Sequence, residues 1–117
     1  MKKITNQSEL EKLASEDKLT ILHFYEDWCP VCDAMLPAME SLESCYTDRV
    51  IFAKINANEN PAMKAQFYVS SIPTVFFLKN RKVLDRIVGL QKRLDLEILI
   101  ERYISTKPEA QTTNFSN

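Results

Sequence analysis

The chain has 117 residues, a length that fits one domain and suffices to bury a real core. Its 15 Lys and Arg against 16 Asp and Glu leave a net charge of −1, which argues against a nucleic-acid or membrane partner held by charge. With 1 glycine it has no glycine-rich phosphate loop, which excludes P-loop and dinucleotide sites, and 45% hydrophobic residues exclude wholesale disorder.

No apolar stretch follows the opening Met-Lys-Lys-Ile, so no signal peptide is expected. No run approaches the ~20 apolar residues of a membrane span. The chain therefore reads as soluble and cytoplasmic. Residues 3–5 allow a short strand. Residues 7–17 carry Leu10, Leu13 and Ala14 at helical spacing, with Asn6 and Glu9 placed as a capping box. Residues 19–25 are β-branched, aromatic and nearly all apolar, the pattern of a strand buried on both faces.

From Cys29 to Tyr46 the period becomes helical, with Met35, Leu36, Met39, Leu42 and Tyr46 on one stripe. Pro30 suits its first turn, and Pro37 is expected to kink it. Residues 49–56 form the next strand, and Asn60-Pro61 opens a short helix to about Phe67. Strands over 75–79 and 82–88 are joined by Asn80-Arg81. A type I′ turn wants glycine where Arg81 stands, so a different turn type is expected. A last helix over 93–104 buries Leu96, Leu99, Ile100 and Tyr103. The polar segment 105–117 reads as a disordered tail behind a domain over 1–104. The order α-β-α-β-α-β-β-α gives an α/β fold: a mixed sheet of four to five strands with helices on both faces.

Chemistry concentrates in Trp28-Cys29-Pro30-Val31-Cys32, where a buried strand runs into a helix. Three cysteines are too few, and odd in number, for a disulfide scaffold. In a cytoplasmic protein the C-x-x-C pair favours a catalytic or metal-binding role. Two thiols on a first helical turn close a disulfide with little movement. Helix N–H groups and the macrodipole stabilise a thiolate on the first of them. Cys29 is therefore the expected nucleophile and Cys32 the resolving thiol.

Several segments in register make residues 4–104 resemble the thioredoxin family. Phe24 to Cys32 is similar to that family's F-[WY]-A-x-W-C-x-x-C segment. Pro37, Ala53-Lys54-Ile55-Asn56, Ser71-Ile72-Pro73-Thr74 and Val88-Gly89 match further family positions. The resemblance implies a cis Pro73 beside the sulfurs and a groove built by Trp28, Ser71, Ile72, Pro73 and Gly89. There the backbone of Ile72 pairs with an extended substrate.

Departures from the family pattern are informative. His23 stands where most thioredoxins carry a buried Asp; it either exchanges a proton near neutral pH or is a core histidine satisfied by a hydrogen bond. Pro30-Val31 replaces the usual Gly-Pro and tunes the Cys29 thiolate, and a less reducing potential is one consequence. Glu26, Asp27 and Asp33 make the surroundings acidic, either as solvated charges or as a preference for basic partners. Lys54 either holds charge near the dithiol or is an ordinary strand lysine. Cys45, between Glu43 and Asp48, reads as a small, partly buried hydrophobe, with a regulatory disulfide as the alternative. Met35 and Met39 read as core.

The resulting expectation is a thiol–disulfide oxidoreductase that reduces protein disulfides through Cys29 and Cys32. Trp28, Pro30, Pro73, His23 and Lys54 support the pair. No cofactor is expected beyond the cysteine pair, and no metal, since structural zinc wants four ligands. The partners are disulfide-bearing proteins and a reductase that recharges a monomer. The alternatives are a docking module without redox turnover, and a less reducing oxidase or isomerase.

Overall fold

Strands form where β-branched and aromatic residues run together, and helices where apolar residues recur every three to four positions. The computed structural model describes residues 1–105 and 113–114. In chain order the elements are β1 (Lys2–Lys3), α1 (Gln7–Ala14), β2 (Leu19–Tyr25), α2 (Pro30–Cys45) and β3 (Val50–Asn56). Then come α3 (Pro61–Gln66), β4 (Thr74–Lys79), β5 (Lys82–Val88), α4 (Arg93–Tyr103) and β6 (Thr113–Asn114). The sheet order is β1-β3-β2-β4-β5-β6. β1 and β2 both run parallel to β3, whereas β4, β5 and β6 extend the sheet in antiparallel steps.

Alternation along the strands sorts side chains to two faces. Leu22 and Phe24 of β2, with Phe76 and Leu78 of β4, pack with Leu10 and Leu13 of α1 and Met63 of α3. Leu19 and Ile21, with Val75 and Phe77, pack with Met35, Met39 and Leu42 of α2 and with Leu96 and Ile100 of α4. Burying each such side chain is worth roughly 1.5–3 kcal/mol. On the first face Phe24, Phe67 and Phe76 form a triangle of rings with centroids 4.9–5.6 Å apart. On the second, the Tyr46 hydroxyl at the end of α2 donates to Glu101 of α4.

Several boundaries differ from expectation. α1 stops at Ala14 rather than residue 17, because Ser15 caps it and the chain turns toward β2. Its N-cap follows the expected box, with Asn6 Oδ1 accepting from Glu9 N–H, and the Glu9 carboxylate accepts chiefly from Thr5 N–H and Oγ1 and more weakly from Asn6 N–H. The first strand is Lys2–Lys3 rather than 3–5. The segment read as a tail lies outside the described residues except for Ser105 and β6, a sixth strand on the edge of β5.

The Asn80-Arg81 turn is the clearest correction. Both residues have positive φ, 52° and 66°, which is the φ pattern of a type I′ turn without glycine. The end of α1 holds it there: Arg81 N–H donates to Ala14 O (2.7 Å) and Asn80 N–H to Glu16 O (3.0 Å). The Arg81 guanidinium also pairs with Glu11 at 2.7 Å.

Candidate active site

β2 ends at Tyr25, and the chain enters α2 through Trp28, which has φ 59° and is 98% exposed. Cys29 is the N-cap and Pro30 the first helical residue, where a missing N–H costs no hydrogen bond. The Cys29 sulfur accepts from Cys32 N–H at 3.2 Å, and its carbonyl accepts from Asp33 N–H at 3.0 Å. Cys29 and Cys32 are joined as a disulfide with Cα atoms 5.3 Å apart. Cys29 is half-buried, while Cys32 is 2% exposed. An outside reactant therefore meets Cys29, at the helix end whose N–H groups favour an anionic sulfur.

The neighbouring strand brings a second loop to the same end of the sheet. Phe24, near the end of β2, is registered with Thr74 at the start of β4, immediately after Pro73. The Ile72–Pro73 peptide bond is cis, with Pro73 buried, Ile72 half-buried and Ser71 exposed. Thr74 Oγ1 donates to Ser71 O at 2.6 Å, and Gly89 N–H to Pro73 O at 2.8 Å. Gly89 has φ +91°, a backbone region that L side chains adopt only with strain. The Arg86 guanidinium, 5.5 Å from the Phe76 ring centroid, donates to the carbonyls of Phe67 and Tyr68. It thereby fixes the chain leading into this loop.

Beside Cys32 lies a cavity of about 140 Å³. Strand alternation sends His23 and Tyr25 to the α2 face, and the β2–β3 register sets Lys54 opposite His23. His23, Tyr25 and Lys54 line the cavity with Trp28 and Leu36, and so do Glu26, Asp27 and Asp33. The Lys54 ammonium lies 5.4 Å from the Tyr25 ring centroid. His23 is 1% exposed, and neither ring nitrogen has a hydrogen-bond partner among the described residues. Burial, reinforced by the Lys54 charge, pushes its pKa down to about 4.

One expectation for His23 therefore needs correction: the ring is not a core histidine satisfied by a hydrogen bond to another described residue. Burial favours its neutral form. Cys45 is exposed rather than partly buried, and its sulfur accepts from Arg93 Nη2 of α4 at 3.4 Å. Its sequence neighbours gave no hint of that contact. Tyr25 and Leu36 were not expected at the site. The parity of β2 places Tyr25 with His23, and Leu36 follows Cys32 by one helical turn. Among the described residues no group of three or more His, Cys, Asp or Glu is placed to hold a metal. No helix among them is long and apolar enough to cross a membrane.

A family model described as Thioredoxin matches residues 1–102. The chain is 34% identical over 100 residues to Thioredoxin 2 of Chlorobaculum tepidum, covering 80% of this chain and 92% of that protein. It is 36% identical over 88 residues to Thioredoxin-T of Drosophila melanogaster, covering 74% of this chain and only 56% of that longer protein. The X-ray structure of Fasciola hepatica thioredoxin superposes with a TM-score of 0.81 at 30% identity, covering 88% of this chain and 99% of that one.

Proposed function

The chain belongs to the thioredoxin family and is a thioredoxin-like protein-disulfide oxidoreductase; from that premise we propose that it works as a reductant of protein disulfides. The observation that carries the exchange chemistry is the asymmetry of the pair: Cys29 is reachable at a helix N-terminus and Cys32 is buried three residues behind it. The likeness to proteins named thioredoxin supports the reducing direction. In the reduced protein the Cys29 thiolate attacks one sulfur of a substrate disulfide. An intermolecular disulfide forms and one substrate thiolate leaves. Cys32 then attacks the Cys29 sulfur, closes the internal disulfide and expels the second substrate thiolate, which takes up the Cys32 proton. Two electrons pass to the substrate. An external dithiol reductase returns them, and the cysteine pair is the whole redox centre.

Trp28, Ser71, Ile72, Pro73 and Gly89 form the surface on which an extended substrate lies, with Ile72 offering backbone groups as a strand edge does. Pro30 fixes the first turn of α2. Lys54 places a positive charge in the cavity that Cys32 shares, which favours a Cys32 thiolate. His23 remains neutral there. A monomer working in the cytoplasm fits this reading.

The test is turnover of a disulfide-bonded protein with dithiothreitol as the electron source. Cys29→Ser is expected to fall to the dithiothreitol background, and Cys32→Ser to accumulate the Cys29-linked intermediate, seen by mass. Turnover by Cys29→Ser at the wild-type rate would overturn the proposal.

A further inference from the structure

Three carboxylates line the cavity beside Cys32: Glu26, Asp27 and Asp33. Among the described residues none of the three has an ion-pair partner. Elsewhere Glu11, Glu59 and Glu97 each meet a Lys or Arg at 2.7–3.3 Å. Lys54 also lines the cavity, but its ammonium rests by the Tyr25 ring and pairs with none of the three. The cavity thus holds three acids against one cation, and His23 is a second and independent observation at the same place. That ring is 1% exposed, and both nitrogens lack a partner. A neutral imidazole needs an N–H or O–H donor at its unprotonated nitrogen. A cation that carries N–H donors meets the carboxylates and the unprotonated ring nitrogen together, and a carboxylate or backbone oxygen of the same partner can take the ring N–H. The volume, about 140 Å³, is several times the ~30 Å³ share of one water and admits an ammonium or guanidinium head group.

Resting on the redox reading above, we propose that this cavity selects disulfide partners carrying a lysine or arginine beside the reacting cysteine. The side chain's cationic head enters the cavity and donates hydrogen bonds to the carboxylates of Glu26, Asp27 and Asp33 and to His23. Attack by Cys29 is then faster because the substrate is held and oriented next to the sulfur pair. Charge-assisted hydrogen bonds of this kind are the stronger class, and a cleft with an excess of negative charge raises the local concentration of cations.

The experiment uses reduced full-length protein and a set of short peptide disulfides identical except for the residue next to cysteine. That residue is Lys, Arg, norleucine, Glu or 2,3-diaminopropionate, and the readout is the second-order rate constant at low salt. The Lys and Arg peptides are expected to react about ten-fold faster than norleucine, the low end of electrostatic enhancement in a charged cleft. The Glu peptide is expected to be slower than norleucine. The cation of diaminopropionate, on a side chain three methylenes shorter than lysine's, is expected to lose the gain. The combined Glu26→Gln, Asp27→Asn and Asp33→Asn variant should bring the Lys-to-norleucine ratio close to one. Glu40→Gln, on the exposed part of α2, should leave that ratio intact. Equal rates for Lys and norleucine would overturn the proposal. So would a Lys preference that survives the triple variant, or an equal gain with diaminopropionate, which would mark general surface attraction. Equal reduction of all five peptides would refute only the selection, whereas reduction of none would remove the redox reading with it.

Discussion

His23 is the only histidine in the chain, so it is the one imidazole that links stability to mildly acidic pH. Its pKa is lowered from 6.5 to about 4, first by burial and then by the Lys54 charge. Between those values the unfolded chain binds a proton that the folded chain refuses. Stability is therefore complete above about pH 6.5 and falls as the pH drops toward 4. The difference corresponds to about 2 kcal/mol lost by pH 5 and about 3 kcal/mol at the acid limit, at 1.36 kcal/mol per unit. The assay is urea denaturation of the oxidised protein at pH 8 and pH 5. It is followed by far-UV circular dichroism, because Trp28 is 98% exposed and its fluorescence reports folding poorly. His23→Leu fills the same buried site without a titrating group, and its loss between pH 8 and pH 5 should be about 2 kcal/mol smaller than that of the wild type. Equal losses in the two proteins would refute the reasoning, as would an NMR titration of His23 centred near 6.5.

Three further outcomes follow from named contacts. Lys54→Met removes the charge that helps hold His23 neutral and should raise the His23 midpoint in an NMR titration while leaving it below 6.5, since burial is the larger cause. Gly89→Ala meets no atom within 4 Å, so its cost is the backbone strain of φ +91° alone, about 1–2 kcal/mol in a denaturation experiment. Cys45 is the free, exposed thiol, so the native oxidised protein should take up one equivalent of a thiol reagent, read by mass, and Cys45→Ser none.

Much of the fold was legible because local patterns and long-range packing agree. The nearly all-apolar, β-rich run 19–25 reads as a strand buried on both faces, and the stripe from Met35 to Tyr46 as a helix face packed on a sheet. Trp28 to Cys32 and the Ile72-Pro73-Thr74 segment marked both loops of the site. What escaped depends on partners distant in sequence. Arg81 adopts positive φ because carbonyls at the end of α1 receive the turn. Cys45 read as a partly buried hydrophobe, whereas the fold leaves it exposed with Arg93 of α4 donating to its sulfur. The state of His23 depends on what surrounds the ring, and composition carries no record of that. The acidic residues were visible in the sequence, but only the fold gathers Glu26 and Asp27, before α2, with Asp33 in its first turn around one cavity.

The central claim is that Cys29 and Cys32 form a working redox couple poised to reduce other proteins. The most direct measurement is its equilibrium potential, obtained by trapping thiols after incubation in buffers of defined dithiol–disulfide ratio. The account predicts one reversible two-electron transition at the reducing end of the scale, near the roughly −270 mV of thioredoxin. A couple near about −180 to −120 mV would contradict the reducing direction, and the absence of any reversible couple would contradict the claim itself.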